Sequence, residues 1–158
     1  MKSALFLDRD GVINHDPGDY TCSPADFEFN PGIFEFLQKA IQQDYLLIVV
    51  TNQGGIAKEL YSLETFNAIN QKMLNGFANA GIEIAEVYFC RHHPDLGKCL
   101  CRKPDALFFE KAVARFDIDV AHSLMIGDRE RDIEAAAAVG IRGILVERNS
   151  NLSLQNLL

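Results

Sequence analysis

Short apolar runs alternate with helical periodicity along this chain. Residues 4–7, 46–50, 87–89, 124–126 and 144–146 are uninterrupted apolar stretches, several of them β-branched. Continuous rather than alternating apolar runs predict parallel strands covered on both faces. Between them, Ile33, Phe36, Leu37, Ala40 and Ile41 keep helical spacing behind Pro31-Gly32. Phe66, Ile69, Met73 and Phe77 do the same, with Ser62 placed to cap that helix and Gly81 to close it. Pro104 suits the first turn of a third helix carrying Leu107, Phe108 and Val113. An alanine-rich fourth spans 132–139 and stops at Gly140. The order β-α-β-α-β-α-β-α-β predicts an α/β fold: a single Rossmann-like domain over 1–158, with a five-stranded, mostly parallel sheet and helices on both faces.

That architecture directs attention to the carboxyl ends of the strands, where ligands of open α/β sheets bind. Strand one delivers Asp8 and Asp10 there, strand two Thr51, Asn52 and Gln53, and strand four Asp128, with Asp132 four residues on. Arg102 and Lys103 follow strand three. A strand-end Asp alone is often only a turn former. If strand one continued, Asp8 and Asp10 would face the same side. Together with Asp128 they would crowd three carboxylates into one small volume. A hard divalent cation such as Mg²⁺ is the natural compensation, since it takes one or two carboxylates, waters and a substrate phosphate.

Charge and composition narrow the partners. The 158 residues carry a net charge of −7, with 48% hydrophobic and 23% charged residues, as in an ordinary globular domain. An acidic chain without a basic stripe argues against nucleic acid. No apolar run approaches a membrane span, and the first residues are too short an apolar stretch for a signal peptide, so a cytoplasmic protein is expected; the expected oligomeric state is a monomer.

Of the four cysteines, Cys90, Cys99 and Cys101 fall within twelve residues. Cys90-x-His92, six residues, then Cys99-x-Cys101 pair three thiols with one imidazole in a loop at 90–101. That set fits a closed, tetrahedral, structural Zn²⁺ site. His93 competes with His92, which preserves the pairing. Cys22 lies apart and reads as a free thiol. The loop runs directly into Arg102-Lys103-Pro104, so a metal there would stiffen the segment that aims Lys103.

Leu5-Phe6-Leu7-Asp8-Arg9-Asp10-Gly11-Val12, Val50-Thr51-Asn52, Lys103, and Ile126-Gly127-Asp128 with Asp132 resemble, in order, the four motifs of the haloacid-dehalogenase-like phosphohydrolases. The resemblance covers essentially the whole chain. It implies that Asp8 is a nucleophile forming an aspartyl phosphate. It implies that Asp10 is a general acid and then a base, needing a raised pKa that Asp8 would help supply. Thr51 would bond the phosphoryl oxygens and Lys103 would neutralise them. Mg²⁺ would be held by the Asp8 and Asp128 side chains and the Asp10 backbone carbonyl. Asp132 is either a supporting group or an exposed helix residue.

Too few residues separate Asp10 from Thr51 for a cap domain, and the cysteine loop fills the other usual insertion point. Substrate choice would then fall to surface loops: Arg9, residues 14–20, Asn52, Gln53 to Lys58, and Arg102. Lys58 itself is as consistent with solvated surface. Capless members with a zinc loop act on a sugar bisphosphate or on a phosphorylated amino alcohol. The run 51–57 and His92-His93-Pro94 resemble the former, and the short His92-to-Cys99 spacing the latter; Arg91 stands where both usually carry Pro. The sugar bisphosphate is the expected substrate, with Arg102 as the cation for its second phosphate. A catalytically silent relative that binds a metabolite or partner is the alternative, against which the intact Asp8, Asp10, Lys103 and Asp128 set argues.

Overall fold

The computed structural model describes residues 1–158. Five strands, β1 (Ala4–Leu7), β2 (Leu46–Asn52), β3 (Glu86–Cys90), β4 (Leu124–Gly127) and β5 (Arg142–Leu145), form one sheet in the order β3-β2-β1-β4-β5. All four pairings are parallel, so the sheet is wholly rather than mostly parallel. Four helices connect them: α1 (Ile33–Gln42), α2 (Leu63–Asn79), α3 (Leu107–Phe116) and α4 (Glu130–Ala137).

Side-chain parity along the central strands builds the two layers. Leu5 and Leu7 of β1 and Leu47 and Val49 of β2 join one core with Ile33, Phe36 and Leu37 of α1 and Ile69, Met73 and Phe77 of α2. Ala4, Phe6, Ile48 and Val50 join the opposite core with Phe109 and Ala112 of α3 and Ala135 and Ala136 of α4. Successive strand residues point to opposite faces, so a continuous apolar run serves both cores at once. The edge strand β5 lacks this double cover, and both its ends are exposed.

The chain runs outward through β2 and β3, then returns past β1 to β4. Strand order therefore reverses between β1 and β4, which makes a crevice at their carboxyl ends. Leu7 pairs with Ile126, and the Asp8 N–H donates to the Ile126 carbonyl at 3.0 Å, so the chain leaves both strands at the same height. Between Asp10 and Thr51 lie only a short 3₁₀ turn (Pro24–Asp26) and α1; no inserted domain covers the crevice.

Two helix starts differ from the sequence expectation. α3 begins at Leu107, not at Pro104. Asn52 grips the Lys103 backbone from both sides, and Asp105 N–H closes a turn onto the Arg102 carbonyl at 2.8 Å, which withholds Pro104 from the helix. α4 begins at Glu130 and ends at Ala137, rather than spanning 132–139. Asp132 lies inside its first turn, and its carboxylate accepts the Arg129 N–H at 3.1 Å. The Ser62 cap is present, its hydroxyl accepting the Thr65 N–H at 3.0 Å.

Gly127 sets how closely α4 approaches β4. A Cβ at this position would lie 2.3 Å from the Asp132 Cβ and 2.5 Å from Asp132 Oδ2. Gly127→Ala is therefore expected to lower the unfolding free energy by about 1–3 kcal/mol through overpacking. Urea unfolding midpoints of the two proteins check this, and an unchanged midpoint refutes it.

Candidate functional site

Asp8 leaves β1 with the parity of Phe6, on the α3–α4 side of the sheet. Lys103 reaches it from the segment after β3, with Nζ 2.9 Å from Asp8 Oδ1 and 2.7 Å from Asp132 Oδ1. Nζ also donates to the Val50 carbonyl at 2.6 Å. Asp128 completes the group, and single ligand oxygens of Asp8, Asp128 and Asp132 lie within 4.8 Å of one another. Burial pushes the Asp8 carboxyl up to about 7, and Asp132 and Asp128 add to it against the opposing pull of Lys103. Burial, then Asp132, also raises Asp128. Burial would lower Lys103, but Asp8 and Asp132 outweigh it and hold the ammonium above its usual value.

This cluster fits a divalent cation on its own chemistry. Three carboxylates face the Lys103 ammonium and the half-exposed Arg129 guanidinium, whose Nε lies 3.5 Å from Asp128 Oδ2, so a formal charge of −1 remains. The Asp128 side chain is 1% exposed, and both its oxygens lack a hydrogen-bond partner. A buried carboxylate without donors is costly unless a charge compensates it. Gly11 keeps the approach open: its φ is +90°, and a Cβ there would lie 2.5 Å from Asp128 Oδ2. Asp132, open between two readings in the sequence, is fully buried and paired with Lys103.

Asp10 stands outside that group because β1 ends at Leu7 and the chain turns. Its carboxylate accepts from Arg9 Nη2 at 3.0 Å, Asn14 Nδ2 at 3.0 Å and Gln53 Nε2 at 2.9 Å. Burial would raise its pKa, but the Arg9 guanidinium and these hydrogen bonds outweigh that and hold it below the usual carboxylate value. This corrects the expectation that Asp10 is raised: the charge nearest to it is Arg9, not Asp8.

Three residues expected to touch substrate are engaged elsewhere. Arg9 is fully buried, pairs with Asp10 and lies over the Phe66 ring at 5.7 Å. Gln53 is 2% exposed; besides Asp10 it donates to Thr51 Oγ1 at 2.9 Å and accepts from the Tyr61 hydroxyl at 2.5 Å. Asn52 donates to the Lys103 carbonyl at 3.1 Å and accepts the Lys103 N–H at 3.0 Å. In each case the polar atoms align a neighbouring functional residue. Thr51 is buried at the end of β2, beneath this network.

The cysteine loop closes on itself. Cys90 Sγ lies 3.7 Å from Cys99 Sγ and 3.2 Å from Cys101 Sγ, and His92 Nδ1 lies 3.6 Å from Cys90 Sγ and 3.3 Å from Cys101 Sγ. Tetrahedral zinc with ordinary bond lengths would set these edges at about 3.8 Å between sulfurs and about 3.6 Å between sulfur and nitrogen. The four residues are thus gathered at the dimensions of a metal site. His93 is turned away toward the crevice, its Nδ1 accepting the Asp95 N–H at 3.2 Å. Lys58 faces Asp95 at 3.8 Å. Cys22 lies apart from this group and is free.

Above Asp8, Asp10 and Asp128 opens a polar cleft of about 370 Å³. Asn52, Gln53, Gly54, His93 and Arg102 form one wall; Asp16, Gly18, Asp19, Tyr20 and Thr21 form the other, with Arg129 and Arg131 at the rim. The Arg102 guanidinium donates to the His92 carbonyl at 3.2 Å, which ties it to the cysteine loop. Sequence reasoning missed Tyr61, Arg129 and Arg131. Arg129 was findable as the neighbour of a strand-end Asp; Tyr61 carries no local signal.

Comparison with known proteins places this geometry. The HAD-hydrolase-like family model matches residues 100–154. The D-glycero-beta-D-manno-heptose-1,7-bisphosphate 7-phosphatase of Vibrio cholerae is 43% identical over 146 residues, covering 89% of this chain and 78% of that protein. The D-glycero-alpha-D-manno-heptose-1,7-bisphosphate 7-phosphatase of Campylobacter jejuni is 42% identical over 147 residues, covering 92% and 83%. The crystal structure of D,D-heptose 1,7-bisphosphate phosphatase from B. bronchiseptica complexed with magnesium and phosphate superposes with a TM-score of 0.87 at 34% identity, covering 99% of this chain and 88% of that one. The chain belongs to the heptose-1,7-bisphosphate 7-phosphatase family of haloacid-dehalogenase-like hydrolases.

Proposed function

We propose that this protein is a Mg²⁺-dependent phosphomonoesterase that removes the 7-phosphate of D-glycero-D-manno-heptose 1,7-bisphosphate. The observation that carries the reading is the buried cluster of Asp8, Asp128 and Asp132 at the β1–β4 crevice, net negative even with Lys103 and Arg129 counted, with Asp8 held against Lys103 and the Asp128 oxygens without a hydrogen-bond partner. The relatives' names and the magnesium and phosphate bound to the B. bronchiseptica enzyme support it.

In this mechanism Asp8 Oδ attacks phosphorus and the bond to the sugar oxygen breaks, leaving an aspartyl phosphate. Lys103 and Thr51, just below the cleft floor, offset and orient the phosphoryl oxygens. Asp10 gives its proton to the departing oxygen, then takes one from the water that attacks the intermediate. Its ionised resting form suits the second step. An incoming phosphate dianion beside it favours the protonated form needed for the first. Asp8, Asp128 and the Asp10 backbone carbonyl would hold Mg²⁺, which screens the phosphate from the carboxylates when bound. Arg102 at the rim would meet the second phosphate, with Arg129 and Arg131 nearby. Cys90, His92, Cys99 and Cys101 would hold a structural Zn²⁺, and thiols kept as ligands suit the reducing cytoplasm.

Asp8→Asn is expected to reduce turnover of a phosphomonoester with Mg²⁺ by about a thousandfold or more while circular dichroism stays native. Equal rates would favour the silent, metabolite-binding alternative. Removing Zn²⁺ with a chelator and restoring Mg²⁺ alone is expected to lower both the melting temperature and kcat, and Zn²⁺ to recover both; full activity of the zinc-free enzyme contradicts this. On substrate, kcat/KM is expected to be higher for the heptose bisphosphate than for histidinol phosphate. The reverse order would move the protein to the amino-alcohol branch.

A further inference from the structure

The wall formed by residues 16–21 has almost nothing of its own to hold its shape. Its local contacts are two in which an Asp side chain accepts a nearby N–H, Gly18 N–H to Asp16 Oδ1 and Tyr20 N–H to Asp19 Oδ1, both at 2.8 Å, and the Cys22 thiol donating to the Tyr20 carbonyl at 3.5 Å. No backbone–backbone hydrogen bond is made by the amides of residues 16–21. Yet five of these six residues line the cleft. At the far end, the Tyr20 ring packs on Tyr61 with centroids 6.3 Å apart. At the near end the anchor comes from 133 positions away. Asn149 Oδ1 accepts the Asp16 N–H at 2.7 Å, and Asn149 Nδ2 donates to the Asp16 carbonyl at 2.8 Å.

Asn149 is itself fixed to the nucleophile turn. Its own N–H donates to the Gly11 carbonyl at 2.8 Å, three residues beyond Asp8. Its φ of 62° is left-handed, a conformation that Asn tolerates better than other side chains. One amide thus ties the turn after Asp8 to the start of the wall facing Arg102. Arg148 next to it approaches Asp16 Oδ2 at 3.5 Å, from an exposed position.

We propose that Asn149 is a positioning residue for substrate selection: by clamping the Asp16 backbone to the Gly11 turn, it holds the 16–21 wall at the distance that fits a sugar bisphosphate. This deepens the phosphatase reading above and rests on it. A small aryl phosphate reaches only the Asp8 floor and does not need the wall, whereas a bisphosphorylated sugar fills the cleft. A misplacement of about 1 Å in such a wall can cost as much as about a hundredfold.

The test compares kcat/KM for heptose 1,7-bisphosphate with kcat/KM for an aryl phosphate, both with Mg²⁺. Asn149→Gly removes both side-chain hydrogen bonds and tolerates the left-handed backbone. It is expected to lower the ratio of the two values about tenfold or more, mainly through KM for the sugar. Asn149→Asp keeps the acceptor for the Asp16 N–H and is expected to recover part of that ratio. A ratio unchanged in Asn149→Gly overturns the inference, even if both activities fall together. If that variant does not fold, an Asn149→Asp ratio equal to wild type overturns it and a reduced one supports it. Failure of the wild-type protein to turn over the sugar at all would instead remove the underlying substrate reading.

Discussion

The crevice between β1 and β4 is organised around the single ammonium of Lys103, surrounded by more carboxylates than it can neutralise. Burying an ion pair costs several kcal/mol per ion in lost hydration, so such an arrangement adds little to stability. Here it is overdetermined. Asn52 fixes the Lys103 backbone, the Val50 carbonyl accepts a hydrogen bond from its ammonium, and Gly127 lets Asp132 come close enough to pair with it. The residual negative charge falls on Asp128, whose oxygens have no hydrogen-bond partner and only the half-exposed Arg129 guanidinium nearby, at 3.5 Å. A site with this imbalance is prepared for a divalent cation and a substrate whose phosphate the cation can bring in.

Much of this was legible in the sequence because its cause is local. Five apolar runs made five strands, and the polar residue closing each central run arrived at the same edge of the sheet. The cysteine loop was legible because two tight pairs within twelve residues leave few alternatives to a common metal. What stayed hidden depended on which way side chains turn in the fold, and on contacts that spacing alone does not show. Arg9 looked like a surface cation beside the expected nucleophile, and only the fold shows it buried against the Phe66 ring and committed to Asp10. Asn52 and Gln53 looked like substrate ligands because they end β2 in the right place. Their partners, Lys103 and Tyr61, lie 51 and 8 positions further along the chain. Asp10 was misjudged for the same reason: crowding by Asp8 was inferred from spacing, while the guanidinium that dominates it points inward.

With no inserted domain over the crevice, shape must come from loops that are themselves poorly supported. Each is braced from outside. Cys90, His92, Cys99 and Cys101 are gathered together, and the Arg102 guanidinium rests on the His92 carbonyl, so any stiffness of that loop is passed to Arg102. Across the cleft, a side chain near the end of the chain performs the corresponding task for the Asp16 segment. The two walls are held by unrelated means, and each brace is also tied to the floor: Asn149 to the Gly11 turn after Asp8, the cysteine loop to the segment that carries Lys103.

The uncovered crevice bears on how Asp10 would serve both halves of the proposed phosphoryl cycle. A lid would exclude water and leave the carboxyl in a uniformly dry setting; an open cleft does not. Arg9, Asn14 and Gln53 instead supply a fixed set of donors that favours the charged form whatever water is present. Substrate charge is then the variable that changes along the reaction, since a phosphate dianion arrives beside Asp10 and leaves as inorganic phosphate. In an uncovered site, a buried arginine next to the acid–base group does part of what a closing domain does elsewhere: it sets the resting protonation state by fixed charge rather than by removing solvent.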